Sequence, residues 1–246
     1  MRSGLNRSLV LPRDELSSAQ RDQMFQLLGG HFLGVSRDRF EQDLAEKNRV
    51  IVITQASRIV GFSTLLAYET SFDETPVSVI YSGDTIMARE AWGSTALPRA
   101  WIETVTELRA TYARGPFYWL LLTSGFRTYR FLSVFWRTFW PRYDSASAPG
   151  PRSLLHHLAA ERFGKQYDPV RGIVRFQNPQ KLVPALAEVP AGRIADPHVA
   201  SFLSRNPGHA EGDELVCLTE LSPENLTAAG WRMASSEPHE LSTARR

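Results

Sequence analysis

The sequence predicts one α/β (α+β) domain built on a mixed, mostly antiparallel central sheet flanked by helices. Three observations carry that expectation. Residues 49–88 hold three β-branched runs separated by short polar turns. Two short amphipathic stretches precede them, and a longer helical stripe followed by an apolar run of strand length comes after. With 246 residues, 43% of them apolar and 22% charged, the chain has material for a sizeable core.

Residues 8–12 read as a short strand. Ser17-Ser-Ala-Gln20 is a capping pattern, and Met24, Leu27 and Leu28 follow at helical spacing. Gly29-Gly30 is expected to stop that helix, glycine tolerating the left-handed residue a helix end favours. A second short helix starts at Ser36 and carries Phe40 and Leu44 four apart. Residues 49–55 (Arg-Val-Ile-Val-Ile-Thr-Gln) are strand-like. Ala56-Ser-Arg connects them to a second strand over 59–68, which contains Gly61, and Asp73-Glu-Thr-Pro76 turns into a third over 77–88. Turns this short make an antiparallel meander.

Trp92-Gly-Ser-Thr95 leads into a helix over 96–113, whose inward stripe is Leu97, Trp101, Val105, Leu108 and Tyr112. Pro98 is tolerated because the first turn has no backbone bond to lose. After Gly115-Pro116, residues 117–123 read as a buried strand without polar alternation, and 127–140 as another helix closed by Pro141. Residues 144–152, rich in Ser, Ala, Pro and Gly, read as a loop. A helix over 153–163, a strand over 172–176, a short helix over 198–204 and a last strand over 214–221 follow. The expected organisation is a core over 1–143, an extension over 144–233 that completes the sheet and caps the site, and a disordered polar tail over 234–246.

Composition narrows the function. A net charge of +2 gives no field to draw the chain to nucleic acid, and no nucleic-acid partner is expected. Cys217 is the only cysteine, which excludes an intrachain disulfide, and its alternating surroundings suit a packed core thiol better than a nucleophile. No apolar run approaches the ~20 residues of a membrane span. Residues 1–7 lead into no signal-peptide core, so the expected address is cytoplasmic. His156-His157 are adjacent, and His198 and His209 lack ligand spacing, so no metal is expected. No Gly-x-Ser-x-Gly is present.

The order strand, two helices, three antiparallel strands, helix, strand, helix, strands resembles the GNAT superfamily (Gcn5-related N-acetyltransferases). The resemblance covers roughly 8–141, with 172–176 and 214–221 as final strands. It implies an acyltransferase moving an acyl group from a thioester, either acyl-CoA or an acyl carrier protein's, to an amine of a small molecule, a chemistry that suits specialised metabolism. It also implies a pyrophosphate loop, Arg/Gln-x-x-Gly-x-Gly/Ala, before the helix that follows the fourth strand. There, donors without intrahelical partners hold coenzyme A. At that place stands Arg89-Glu-Ala-Trp92-Gly93-Ser94-Thr95-Ala96, with Trp92 in the first glycine slot and Gly93 displaced by one. Arg89, Gly93, Ser94 and Thr95 are therefore the cofactor-binding candidates, although the stretch also reads as a plain strand-to-helix turn. The alternatives are a GNAT-scaffold enzyme that does not use coenzyme A, of the autoinducer-synthase kind, and a non-catalytic binding module.

Attack by an amine on a thioester requires one group to accept a proton and another to supply one to the leaving thiolate. Asp84, in Tyr81-Ser-Gly-Asp84-Thr85 within an apolar strand, is the candidate base, since burial raises a carboxylate's pKa. A solvated face or a bulge at Gly83 is its other reading. Tyr81 reads as a second proton carrier or a core aromatic. The resemblance puts an acid after the fifth strand, which makes Tyr129 the candidate acid and Ser124 a candidate for acceptor or leaving group. Residues 123–125 also read as a helix-entry cap. Arg127 and Arg130 are candidates for holding a phosphate or carboxylate. The loop after the first helix borders the acceptor site in the resembled fold and adds His31 and Phe32. Residues 109–143 contain six arginines and twelve aromatics but no lysine and no acidic residue. Such a mixture can stack bases or lie at a lipid surface. The helical spacing of Phe131, Phe135 and Phe139 favours core packing beside an apolar pocket with a few arginines.

Overall fold

The computed structural model describes residues 6–112, 114–144 and 149–234. Strand β1 (Arg7–Pro12) leads to helix α1 (Ser18–Gly29). Ser17 Oγ accepts the Gln20 N–H while Gln20 Oε1 accepts the Ser17 N–H, the reciprocal cap the sequence signals. Gly30, at φ −76° and ψ −14°, ends α1 without the left-handed residue expected there. Strand β2 (Phe32–Leu33) precedes helix α2 (Arg37–Ala45), capped by Ser36.

Strands β3 (Arg49–Gln55), β4 (Arg58–Phe72) and β5 (Thr75–Met87) form the antiparallel meander. Its turns place Ala56 and Ser57, then Asp73 and Glu74, at positive φ, the backbone twist that suits tight hairpins. Helix α3 (Ala96–Thr111) then leads to β6 (Phe117–Thr123) through Gly115, at φ +73°. A Cβ on Gly115 would overlap the Pro76 carbonyl oxygen, so only glycine lets the chain pass the β4–β5 hairpin. Gly115→Ala is expected to cost about 1–3 kcal/mol, read as a lower urea midpoint at constant slope. An unmoved midpoint would mean that the turn relaxes freely.

Helix α4 (Phe126–Phe135) is followed by α5 (Pro149–Phe163), β7 (Tyr167–Asp168), β8 (Ile173–Val174) and β9 (Lys181–Leu182). Helices α6 (Pro184–Ala187), α7 (Ala191–Ile194) and α8 (Pro197–Arg205), strand β10 (Glu214–Glu220) and helix α9 (Ala228–Ala234) complete the described residues. The expected helix over 127–140 stops at Phe135 because tertiary pairing takes over. Trp136 and Trp140 bridge to Leu226 and Leu218, and Arg137 N–H donates to the Asn225 carbonyl at 2.8 Å. The loop expected over 144–152 is already helical from Pro149, while 145–148 fall outside the described residues. Apart from Ala234, the expected tail does too.

The sheet runs β1-β3-β4-β5-β6-β10-β8-β7, with β5–β6 its one parallel pair. Period-2 alternation divides the core. Ile80, Trp119, Leu121 and Cys217 pack toward α3, whereas Tyr81, Leu120, Leu122 and Val216 pack against Leu155 and Leu158 of α5. Cys217 is a fully buried core thiol. Element order and meander are those that the GNAT resemblance implies.

The feature that positions the site is a fork. Pairing of β5 with β6 runs from Ser78↔Phe117 to Ser82↔Leu121 and then stops. There the β4–β5 register jumps from Leu65↔Ser82 to Ser63↔Thr85, leaving Thr64 opposite both Gly83 and Asp84. Such a bulge bends its strand away. Strand β6 instead stays with β10 as far as Thr123↔Leu215. Trp119 Nε1, donating to Ser82 Oγ at 2.8 Å, ties the strands where they part.

Candidate active site

The fork opens into a cavity of about 1220 Å³. A single small-molecule pocket holds roughly 300–1,000 Å³, so this volume has room for two ligands side by side. The meander, α2, the starts of α3 and α4, and the extension wall it in. Phe32↔Leu182 pairing, with Val183 N–H donating to the His31 carbonyl at 2.9 Å, fastens the α1–α2 loop to the extension.

One end is rich in ionisable groups. Asp84 on the bulge and Glu214 at the start of β10 face the cavity, and neither side chain has a hydrogen bond or ion pair among the described residues. Burial, reinforced by Asp43, pushes Asp84 up to about 6 against the pull of Lys47 and Arg39. Burial and the neighbouring Asp84 push Glu214 further, to about 8. Asp84 therefore ionises first, while Glu214 still holds its proton. Lys47 is only 5% exposed; burial and then Arg162 lower its pKa. Its Nζ donates to the Asp43 carbonyl at 2.8 Å and lies 5.3 Å from the Tyr81 ring centre. The Arg162 guanidinium stacks on the same ring at 3.9 Å while pairing with Glu46 at 2.6 Å. Burial holds the Tyr81 phenol well above its ordinary pKa, so it remains protonated.

The other end joins aromatics to arginines. Arg127 lies 4.7 Å over Trp92 and 4.5 Å over Phe126, and its Nη1 donates to the Leu186 carbonyl at 3.0 Å. Arg130 pairs with Asp196 at 3.1 Å. Trp92, 43% exposed, stands at the rim and does not plug the fork; its Nε1 donates to the Met87 carbonyl at 2.8 Å. His31 braces this wall, with Nδ1 2.8 Å from the Leu27 carbonyl oxygen and Nε2 2.9 Å from that of Met87. Ser124, 5% exposed, lines the cavity; α4 starts from Gly125 without a side-chain cap, and Thr123 Oγ1 accepts the Gly125 N–H at 3.0 Å in the turn before it.

Of the residues singled out in the sequence, Asp84, Tyr81, Ser124, Ser94, His31, Phe32, Arg127 and Arg130 line this one cavity. Tyr129 does not. It is fully buried against Phe139 and Phe202, its hydroxyl donates to the Pro141 carbonyl at 2.7 Å, and burial raises its pKa. Tyr129 is a core residue with a satisfied hydroxyl, not the acid expected there. Arg89, Gly93 and Thr95 are exposed and stand outside the lining. The start of α3 is also a poor phosphate cradle: Ala96 N–H is taken by Ser94 Oγ at 3.1 Å, and Pro98 has no N–H. The coenzyme A pyrophosphate therefore does not fit this loop in the implied way. Lys47, Glu214 and Arg162, absent from the sequence candidates, complete the ionisable end.

Among the described residues no group of three or more His, Cys, Asp or Glu side chains is placed to hold a metal ion, and no helix is long and apolar enough to cross a membrane. No family model matches the chain, and no curated protein does. Solved structures are similar in part. One is a conserved Enterococcus faecalis protein of unknown function, a probable N-acyltransferase, at 12% identity, covering 64% of this chain and 43% of that one with a TM-score of 0.42. A GCN5-related N-acetyltransferase from Kribbella flavida is similar at 12% identity, 55% and 34% coverage and a TM-score of 0.40. Escherichia coli ElaA is similar at 19% identity, 60% and 95% coverage and a TM-score of 0.37. The chain spans less than half the length of the first two.

Proposed function

We propose that this chain is an acyltransferase that moves an acyl group from a thioester to an amine of a small molecule, with Asp84 as the proton acceptor. The observation that carries the reading is the unpartnered Asp84 carboxylate, held at about 6 on the bulge where β5 leaves β6. A base poised near neutrality suits this proton transfer. The amine nitrogen bonds to the acyl carbon, the carbon–sulfur bond breaks, and the amine's proton passes to Asp84. Ser124, on the lining beside the end of β6, is the hydroxyl we assign to donate a hydrogen bond to the leaving thiolate in place of Tyr129. The proton taken up by Asp84 reaches that sulfur through solvent, so that free thiol and a restored Asp84 carboxylate remain. The departures at residues 92–98 leave the form of the donor to experiment: acyl-CoA, or a thioester carried on an acyl carrier protein.

Release of free thiol from acetyl-CoA, longer acyl-CoAs and acyl carrier protein thioesters, each with pooled small amines, tests the reading. Amine-dependent release with a matching acylated amine by mass spectrometry is expected from at least one donor; none from any of them overturns it. Turnover should climb with pH through about 6 as Asp84 loses its proton. Asp43→Asn, removing the charge that raises Asp84, should move that limb to lower pH. Glu214→Gln, which mimics the protonated form present when Asp84 titrates, should leave the limb in place. A limb indifferent to Asp43 would assign the titration to another group.

A further inference from the structure

The ionisable end of the cavity has an imbalance of partners that points to its ligand. Three cations line that end, and two of them, Lys47 and Arg39, act on Asp84. Arg162 is paired with Glu46, and Arg39 lies 3.7 Å from Asp43. Lys47 is ion-paired to no carboxylate among the described residues, although it is 5% exposed and lines the cavity. Its ammonium has three donors and spends one on the Asp43 carbonyl. Glu46, Asp43 and Asp84 act on its charge through space without reaching ion-pair distance, and a buried cation without a contacting counterion is costly to maintain unless a ligand answers it. Beside it, Asp84 and Glu214 are likewise unpartnered. This end of the cavity therefore presents a cation outside ion-pair contact next to carboxylates outside it as well.

The spacing is short. A Cβ on Gly83 would lie 2.8 Å from Lys47 Cε, 3.4 Å from Lys47 Nζ and 2.6 Å from Thr64 Oγ1. The lysine stem thus crosses the bulge directly over Gly83, and its ammonium stands one residue from Asp84. Glycine at 83 is what leaves room for it. Lys47 and Asp84 lie near enough to act on each other's charge, and groups of opposite sign so placed complement a small ligand that carries both an amine and an acid.

We infer that the acceptor is a free amino acid with an apolar side chain, its carboxylate held by Lys47 and its amine facing Asp84; this rests on the acyltransferase reading of the same cavity. Leu66, Tyr68, Leu122, Phe163 and Phe176 supply the apolar wall. Lys47 is a specificity-determining residue here: it chooses the acceptor and takes no proton from it.

The test compares apolar amino acids, phenylalanine among them, with their carboxamides and their decarboxylated amines (phenethylamine for phenylalanine), by calorimetric titration of the full chain. At least one amino acid should bind about 10-fold or more tighter than its carboxamide and its amine, the scale of one charge-assisted hydrogen bond. In Lys47→Met, which keeps an unbranched stem over Gly83, that preference should fall to about threefold or less. Lys47→Gln serves if the methionine variant does not fold, and the wild-type comparison stands without either. Equal binding of acid, amide and amine, or no binding of any apolar amino acid, overturns the inference. Thiol release driven by amines lacking a carboxylate overturns it too, while leaving the acyltransferase reading intact. A Lys47-dependent preference without thiol release from any donor does the reverse: the amino-acid site stands and the transferase reading goes.

Discussion

Replacing Trp101 by alanine is expected to cost about 3–5 kcal/mol of stability, the range for truncating a large aromatic in a close-packed core. Trp101 is 1% exposed on the inward stripe of α3. Its ring lies 4.2 Å from Trp119, 5.6 Å from Trp136 and 6.1 Å from Phe131, centre to centre. Alanine would leave a void between helix and sheet that these rigid rings cannot close, and would remove edge and tilted ring contacts as well. The loss should reach the site, because Trp119 is the residue that ties Ser82 at the fork. Guanidinium unfolding followed by tryptophan fluorescence measures the first effect. Trp119→Phe separates the second, since it keeps a ring but leaves the buried Ser82 hydroxyl without its donor, at about 1–3 kcal/mol. A loss below about 1 kcal/mol for Trp101→Ala would mean that α3 does not set the packing behind the fork.

Much of this fold is written locally. The meander was legible because its runs are β-branched and its connections short; the positive φ of Ala56, Ser57 and Glu74 was not, since those residue types do not signal it. The capping box at Ser17 and the stripe of α3 are likewise set by near neighbours in sequence. The end of α4 was not legible. Phe131, Phe135 and Phe139 continue a helical period, but Phe139 is buried on an extended segment held by Leu218 and Asn225, which lie some eighty residues on. The error at Tyr129 is related. Phe126, Arg127, Arg130 and Phe131 share the cavity face of α4, and Tyr129 falls on the opposite side, a distinction that depends on how the helix is rotated against the sheet.

The site was legible where a polar residue interrupted an apolar run, as at Asp84, and illegible where polarity looked ordinary. Lys47 stands in Glu46-Lys-Asn-Arg49, which reads as a solvated link between α2 and β3. Only the bulge, by dropping a side chain at Gly83, brings that lysine over the strand. Glu214 opens a strand, where an acidic residue attracts no notice. The arginine-aromatic stretch resolves by division of labour: Phe117, Trp119, Tyr129 and Trp136 enter the core, Arg127 and Arg130 turn to the cavity, Arg137 donates to the distant Leu226 carbonyl and Arg142 pairs locally with Asp144.

Asp84→Asn should separate catalysis from stability in opposite directions. As a general base Asp84 is worth about 10²–10⁴ in turnover, and the amide, of nearly the same shape, cannot take the amine's proton. Stability should move the other way. The folded carboxyl binds its proton more tightly than the unfolded one, so its contribution is full below the ordinary value of 3.8 and is lost as pH rises through about 6. The asparagine variant escapes that loss, so its melting temperature should exceed the wild type's by more at pH 8 than at pH 4. With the Asp84 charge gone, Glu214 should also titrate below 8. A residue serving only the fold would lose stability and activity together; one on the solvated face would change neither. Turnover within about threefold of wild type at every pH would remove Asp84 from the chemistry, because no nearby group inherits its position on the bulge.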